Sequence, residues 1–96
     1  YLLEFSMLNT LESLFNLARK RKKSPEEGSY TNKLLRDKSL SKDKILEEMN
    51  ELIEAVDNNS NKIHEAADVF YHLIIYLEAN DINIEDVMAE LERRKK

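Results

Sequence analysis

The chain has 96 residues and a mass of 11.3 kDa, which is the size of one small domain. It has no cysteine and a single glycine, which excludes disulfide bonds, thiolate chemistry and the glycine-rich phosphate-binding loops. A mean hydropathy of −0.60 with 35% charged residues excludes a membrane-spanning run of about 20 apolar residues, and the formal net charge of −4 by itself argues against a polyanionic ligand.

Residues 1–7 are predicted to be an N-terminal extension or a cloning remnant, with Met7 as the natural start. Residues 1–6 show neither the basic n-region nor the long apolar core of a signal peptide. Residues 8–96 are then a single α-helical domain, and we expect it to act in the cytoplasm.

Apolar residues recur at helical spacing from 8 to 23 and predict the first helix, with Asn9 and Glu12 as a capping pair. Residues 30–38 form either a short helix or an irregular active loop. Two longer helices, about 42–57 and 62–79, are separated by a turn rich in asparagine. A last helix begins near Asn83, a typical N-cap residue.

The short connections between these helices favour antiparallel neighbours, so we expect an all-α antiparallel bundle of four to five helices. The charge is distributed unevenly over this bundle. Residues 19–44 carry ten basic and four acidic side chains, whereas residues 45–92 carry thirteen acidic side chains and one lysine. Most of these charges are typical of solvated helix surfaces. The acidic segment argues against broad contact with nucleic acid.

The third helix is apolar almost all round, which predicts that it is buried. A polar stripe of Glu65, Asp68 and His72 nevertheless runs along it, at i, i+3 and i+7. Carboxylates on a buried helix are costly unless they are paired or bind a metal ion. Four short helices cannot cover such a helix, so we expect the bundle to be completed by dimerisation.

The second helix presents Glu48 and Glu51 as neighbours, with Glu48 at the border of an apolar face centred near Met49 and Val56. Across an antiparallel turn these two carboxylates can face those of the third helix. Four clustered anions are most naturally held by a divalent cation with oxygen ligands, Mg²⁺ before Ca²⁺ or Zn²⁺. The alternative, carboxylates in salt bridges with the basic segment, stays open. The predicted metal ligands are Glu48, Glu51, Glu65 and Asp68.

Two segments, Glu47-Glu48-Met49-Asn50-Glu51 and Glu65-Ala66-Ala67-Asp68, resemble the Glu-Glu-x-x-Glu and Glu-x-x-Asp signature of the MazG-like all-α nucleotide pyrophosphohydrolases. Residues 29–35 are similar to the Ser-Tyr-Thr-x-Lys-Leu segment of one branch, the phosphoribosyl-ATP pyrophosphohydrolase family. Residues 65–73 resemble that family's Glu-Ala-Ala-Asp-Leu-x-Tyr-His-Leu. The resemblance covers the chain from about residue 8. Leu46 stands where the family usually has glycine, and Glu54 where it tends to be apolar.

The resemblance implies a MazG-like bundle that hydrolyses phosphoribosyl-ATP to phosphoribosyl-AMP and pyrophosphate, the second step of histidine biosynthesis, with Mg²⁺ as cofactor. By position it implies these catalytic carboxylates: Glu47, Glu48, Glu51, Glu65 and Asp68. The helical period places Glu47 furthest from the cluster, as a more distant residue or as a base that acts through water.

The same resemblance and the basic segment give these candidate substrate contacts: Ser29, Tyr30, Thr31, Lys33 and Lys44. Their alternatives are a capping and turn role for the first three and plain surface charge for the two lysines. His72 is expected either to orient the Asp68 carboxylate or to serve as a core residue. His64 is given no role.

The expected partners are a phosphorylated nucleotide and a second copy of the chain, with no nucleic acid and no membrane. The resemblance implies a homodimer whose sites are each completed by the neighbour. It also implies fusion to, or cooperation with, a phosphoribosyl-AMP cyclohydrolase. Two alternatives remain. One is a MazG-type enzyme acting on (d)NTPs, which would not need residues 29–33, and the other is a non-catalytic helical interaction module, with a nucleic-acid binder based on residues 19–23 as its weaker form.

Overall fold

A computed structural model describes residues 2–95 of the chain. Five helices form an all-α bundle, as predicted, and the described residues contain no strand: α1 (Leu2–Lys23), α2 (Tyr30–Arg36), α3 (Lys38–Asn58), α4 (Lys62–Ala79) and α5 (Ile84–Arg94). None of these helices is both long enough and apolar enough to cross a membrane. Tyr1 and Lys96, the outer ends of the predicted regions 1–7 and 8–96, lie outside the described residues.

Helix α1 begins at Leu2, six residues before the predicted start, because no proline or glycine interrupts the sequence there. Asn9 and Glu12 therefore lie inside the helix, and their prediction as a capping pair is wrong. The helix ends in a turn of basic residues, which suits its negative C-terminal pole. Gly28 then adopts a φ of 80°, a conformation that side-chain-bearing residues avoid, just before α2.

Residues 30–36 form a helix and not an irregular loop. The backbone N–H of Asp37 donates to the carbonyl of Lys33 and ends α2, while the Asp37 carboxylate accepts from the N–H of Leu40 and caps α3. Helix α3 therefore begins at Lys38, four residues earlier than predicted, since one residue serves as the cap of both helices.

The core is small and joins three helices through the fully buried side chains of Ala18, Leu34 and Ile75. The most extensive helix pairing is between α3 and α4. Asn59 and Asn61 form the turn between them with φ values of 52°, a left-handed conformation that asparagine tolerates better than most residues. Helix α4 spans 62–79 as predicted, and α5 follows its predicted N-cap, Asn83.

Helix α3 packs with a different face from the one predicted. Its buried residues are Ser41, Glu48 and Ala55, spaced by seven positions and therefore aligned on one side. Met49 and Val56, predicted to be the centre of the packed face, are exposed. The apolar stripe of α3 thus faces outward, because the side that meets α4 is occupied by small and acidic residues.

Helix α4 is buried on one side only, so the prediction that it is buried all round is wrong for the single chain. Val69, Ile75 and Ala79 face the core. Ile63 is 88% exposed and Phe70 is 56% exposed. Two helices therefore leave part of their apolar surface uncovered in one copy of the chain.

Candidate active site

Three of the four predicted metal ligands meet between α3 and α4. Glu48, Glu51 and Glu65 each offer a carboxylate oxygen, and these oxygens lie within 4.8 Å of one another. Glu48 is only 6% exposed, whereas Glu51 and Glu65 are half-buried. The turn at residues 59–61 brings the two helices together, so that the acidic side of α3 meets the start of α4.

The Glu48 carboxylate is incompletely satisfied. Its Oε2 atom is buried and has no hydrogen-bond partner among the described residues, and its Oε1 atom lies 3.6 Å from the Lys44 ammonium nitrogen. Burial raises the pKa of the Glu48 carboxyl, and the adjacent Glu51 carboxyl raises it further. Since buried carboxylate oxygens are normally paired, this donor set fits a cation with oxygen ligands.

Glu65 belongs to the same electrostatic cluster. Burial raises its pKa, and repulsion from Glu51 adds to the effect, while His64 opposes it. Ionisation of the Glu48 and Glu65 carboxyls therefore carries a free-energy cost in the folded protein, which a bound cation would offset.

Asp68 lies at the edge of this cluster, close to His64, to which sequence reasoning gave no role. The His64 Nε2 atom is 3.3 Å from Asp68 Oδ2 and 3.8 Å from Glu65 Oε1. These three residues form a second group of mutually close ligand atoms. The i, i+4 spacing of His64 and Asp68 on one helix was the signal that could have identified it.

Glu47 lies outside the cluster, in line with its position on the helical period. It is exposed and accepts a 2.6 Å hydrogen bond from the Lys44 ammonium. This ion pair lowers the pKa of Glu47 and raises that of Lys44, so both side chains keep their charge.

The segment that begins α2 is held by a hydrogen bond within itself and by others to α1 and α4. The Ser29 hydroxyl caps α2 by accepting from the N–H of Asn32, and it also accepts from Arg21. Thr31 is buried, with its hydroxyl bonded to that of Tyr71. Tyr30 is 46% exposed and Lys33 is exposed, so these two side chains can reach a ligand.

His72 connects α2 to α4 and does not contact the Asp68 carboxylate. Its Nδ1 atom lies 2.8 Å from the Asp68 backbone carbonyl oxygen, and its Nε2 atom lies 3.0 Å from the Tyr30 hydroxyl. Since a carbonyl only accepts, Nδ1 carries the hydrogen, and in the neutral ring Nε2 accepts from Tyr30. His72 is buried, in line with the alternative prediction that it serves as a core residue.

The carboxylate cluster opens to the surface. Glu51 and Glu65 line a shallow pocket of about 260 Å³ beside the α3–α4 turn, together with Glu54, Ala55, Asn58, Ser60 and Asn61. A larger groove of about 680 Å³, with almost entirely apolar walls, lies between α1 and α4. The acidic residues border the first cavity and not the second.

Comparison with known proteins gives a match over almost the whole chain. The family model described as phosphoribosyl-ATP pyrophosphohydrolase matches residues 8–95. A phosphoribosyl-ATP pyrophosphatase from Listeria welshimeri is 43% identical over 88 residues, which cover 88% of this chain and 84% of that protein. A phosphoribosyl-ATP pyrophosphatase from Methanocella arvoryzae is 40% identical over 95 residues, which cover 94% of this chain and 100% of that protein.

A longer relative also matches. The histidine biosynthesis bifunctional protein HisIE from Pyrococcus furiosus is 39% identical over 92 residues, which cover 93% of this chain. The match takes up 43% of that protein, so the chain is similar to one part of it.

Proposed function

The chain belongs to the phosphoribosyl-ATP pyrophosphohydrolase family, and on that premise we propose that it hydrolyses phosphoribosyl-ATP to phosphoribosyl-AMP and pyrophosphate in histidine biosynthesis. The structural observation that carries the proposal is the meeting of Glu48, Glu51 and Glu65 within 4.8 Å. Anions clustered in this way can approach a polyphosphate only when a cation lies between them. The cytoplasmic location is part of the proposal, since the substrate is a nucleotide.

Mg²⁺ is the cation of this proposal. Carboxylate oxygens suit it, and the unpartnered Oε2 atom of Glu48 supports a ligand at this point. The residues that would hold the ion are Glu48, Glu51, Glu65 and Asp68. When bound, the ion would supply a polarised water and neutralise the charge that develops on the phosphate oxygens.

The side chains around this centre orient the phosphates and accept a proton. Lys44 lies beside the cluster, where its ammonium can contact a phosphate oxygen. A water oxygen forms a bond to phosphorus at the α–β anhydride, the bond to the bridging oxygen breaks, and pyrophosphate leaves with the electron pair. Glu47 accepts the proton of the attacking water through an intervening water molecule. It can do so because its carboxylate stays ionised beside Lys44.

The α2 segment is proposed to select the nucleotide. The exposed ring of Tyr30 stacks at 6.3 Å against Tyr71 and presents an aromatic face, and Lys33 adds a positive charge. Ser29 and Thr31 contribute by fixing this segment, because their hydroxyls are already bonded within the protein.

We expect pyrophosphate release from phosphoribosyl-ATP in the presence of Mg²⁺, and loss of that release when the metal is chelated. Glu51→Gln should lower kcat by at least about 100-fold, since it removes a ligand needed to stabilise the transition state. Glu92→Gln, an equivalent change on the exposed side of α5, is the matched control and should keep full activity.

The same assay with dNTPs tests the alternatives. Activity on dNTPs alone would replace the proposed substrate while keeping the carboxylate chemistry. No release from either substrate would support the non-catalytic interaction module, provided that circular dichroism shows a folded protein.

The active form is proposed to be a homodimer. Ile53 and Val56 on α3 and Ile63 and Phe70 on α4 are all more than half exposed in the single chain. These four side chains lie on the two helices that also carry the carboxylates, so a second copy that covers them would lie next to the site. Burial of this apolar surface favours association.

Cooperation with a phosphoribosyl-AMP cyclohydrolase completes the proposal. The product proposed for this chain, phosphoribosyl-AMP, would be the substrate of such an enzyme. The match to one part of a bifunctional histidine biosynthesis protein supports two consecutive steps carried by neighbouring domains.

A further inference from the structure

Tyr30, the first residue of α2, is held in place from two sides. Its ring lies 6.3 Å from the ring of Tyr71, with an angle of 15° between the two planes. Its hydroxyl oxygen lies 3.0 Å from the Nε2 atom of His72. Tyr30 is nevertheless 46% exposed, so its ring is fixed in orientation while part of it faces the solvent.

The hydrogen bond between Tyr30 and His72 has a defined direction. The Nδ1 atom of His72 lies 2.8 Å from the Asp68 backbone carbonyl oxygen, which only accepts, so Nδ1 carries the hydrogen of the neutral ring. Nε2 is then the acceptor, and the Tyr30 hydroxyl donates to it. The backbone of α4 therefore sets the tautomer of His72, and His72 in turn holds the hydroxyl of Tyr30.

Tyr30 lies close to the residues proposed to meet the phosphates. Burial is the largest cause of its raised pKa, the Lys44 ammonium lowers that pKa, and the Glu48 and Glu47 carboxylates raise it. Such electrostatic effects weaken with distance, so the phenol lies near all three charges. A nucleotide held there by its phosphates can therefore place its base on the exposed Tyr30 ring.

We propose that His72 is a positioning residue for nucleotide binding, which holds the Tyr30 ring as a preformed surface for the purine base of the substrate. The proposal rests on the proposed function for the identity of that substrate. A planar aromatic ring offers a base a surface on which to stack. A ring that is already fixed strengthens binding, because less side-chain freedom is lost when the nucleotide arrives.

The competing explanation is that His72 only stabilises the fold. It is buried and joins α2 to α4, so its loss would lower the free energy of unfolding under either explanation. The two explanations differ in what the Tyr30–His72 bond does to affinity. Only a positioning role makes the affinity for the base depend on that single bond in a chain that stays folded.

The first measurement is nitrogen-detected NMR of the imidazole rings in the whole chain at pH 8, without nucleotide. The sequence has two histidines, so a spectrum of His64→Gln assigns the resonances of His72. We expect a protonated Nδ1 and an unprotonated Nε2 in His72, and Tyr30→Phe should shift the Nε2 resonance alone. A protonated Nε2, or an Nε2 resonance that does not move in Tyr30→Phe, would overturn the proposal.

The second measurement is calorimetry with two probes in the presence of Mg²⁺: AMP, which carries the base, and ribose 5-phosphate, which lacks it. Tyr30→Phe and His72→Leu should each weaken AMP binding by about fivefold or more and change ribose 5-phosphate binding by less than about twofold. The double variant should bind AMP no more weakly than the single variants, since both remove the same bond.

Two further variants separate positioning from stability. His72→Gln offers a carbonyl oxygen to the Tyr30 hydroxyl and should recover most of the AMP affinity that His72→Leu loses. Tyr76→Phe, which removes a hydroxyl farther along α4, is the matched control and should bind AMP as the native chain does. Circular dichroism checks that each variant is folded, and Tyr30→Phe, which loses one oxygen and keeps the ring, tests the bond if His72→Leu does not fold.

Three results would overturn the proposal: a native chain that binds AMP no more tightly than ribose 5-phosphate, a folded Tyr30→Phe variant with native AMP affinity, or additive losses in the double variant. Pyrophosphate release plays no part in these measurements, so the proposed function stands or fails separately.

Discussion

At the scale of single residues, Glu48 affects both the proposed metal site and the free energy of unfolding. It is buried in the α3–α4 contact, one of its oxygens has no hydrogen-bond partner within residues 2–95, and burial raises its pKa. An ionised carboxyl whose folded pKa is raised lowers the free energy of unfolding at every pH above that folded value. The cost disappears once the pH falls below the ordinary pKa that the group has in the unfolded chain.

Glu48→Gln should therefore stabilise the metal-free protein near pH 8. We expect its melting temperature to rise by roughly 4 °C or more, the shift that about 1 kcal/mol produces in a domain of this size. The gain should shrink as the pH falls through the raised pKa and vanish below the ordinary carboxyl pKa. Thermal melts in chelator from pH 8 to pH 4 measure the melting temperatures of both proteins, with Glu92→Gln as the control. If Glu48→Gln were destabilised at pH 8, the ion pair with Lys44 would already compensate the buried Glu48 charge.

Sequence reasoning located the acidic residues but not the depth of Glu48. It predicted a border position, because it assumed that the most apolar side of α3 is the packed one. A hydrophobic pattern on one chain cannot distinguish a face that packs internally from one left for another molecule. The proximity of His64 to Asp68 was missed although the i, i+4 spacing was present in the sequence, because His64 was considered alone and not together with the carboxylate one turn later.

At the scale of elements, α2 is a seven-residue helix that could not persist alone. Leu34 anchors it in the core, and two hydroxyl bonds, Tyr30 to His72 and Thr31 to Tyr71, attach it to α4. Asp37 then fixes the direction in which α3 leaves. The position of the whole α2 segment relative to the carboxylates follows from these few contacts.

Asp37→Ala tests that dependence. Loss of the cap should lower the free energy of unfolding by about 0.5–2 kcal/mol, the range measured for N-cap residues. Urea denaturation followed by circular dichroism gives the value. Asp43→Ala, the same chemical change at an exposed position of α3, should alter it by less than about 0.5 kcal/mol, and equal effects of the two variants would show that the cap is dispensable.

At the scale of the whole molecule, one chain covers little of its own apolar surface. Among the described residues, the cluster that joins α1, α2 and α4 has only three fully buried apolar side chains, α5 has no buried residue, and a groove of about 680 Å³ remains open between α1 and α4. Chain length and helix pattern predicted the bundle, and the second copy that they also predict stays a prediction. The extra length of α1, the shared cap at Asp37 and the outward face of α3 could not be predicted, since each depends on which helix lies against which.

Sedimentation at micromolar concentration should give the mass of two chains. Phe70→Asp should shift the protein to one chain and raise the dissociation constant by at least about 100-fold, because it would bury an unpaired charge. Lys20→Asp, which introduces the same side chain at an exposed position of α1, should leave the mass unchanged. A native chain that sediments as a monomer with an intact helical spectrum would rule the dimer out.

The seven-residue spacing of Ser41, Glu48 and Ala55 has a consequence for how such a chain can evolve. Its inward side is constrained by the carboxylate cluster, whereas its outward side would be constrained by the fit to the proposed second copy. Substitutions on the outward side can therefore accumulate in compensating pairs while the acidic side stays fixed. If the proposed dimer forms, divergent members of the lineage can differ in which subunits recognise each other and still keep the same reaction.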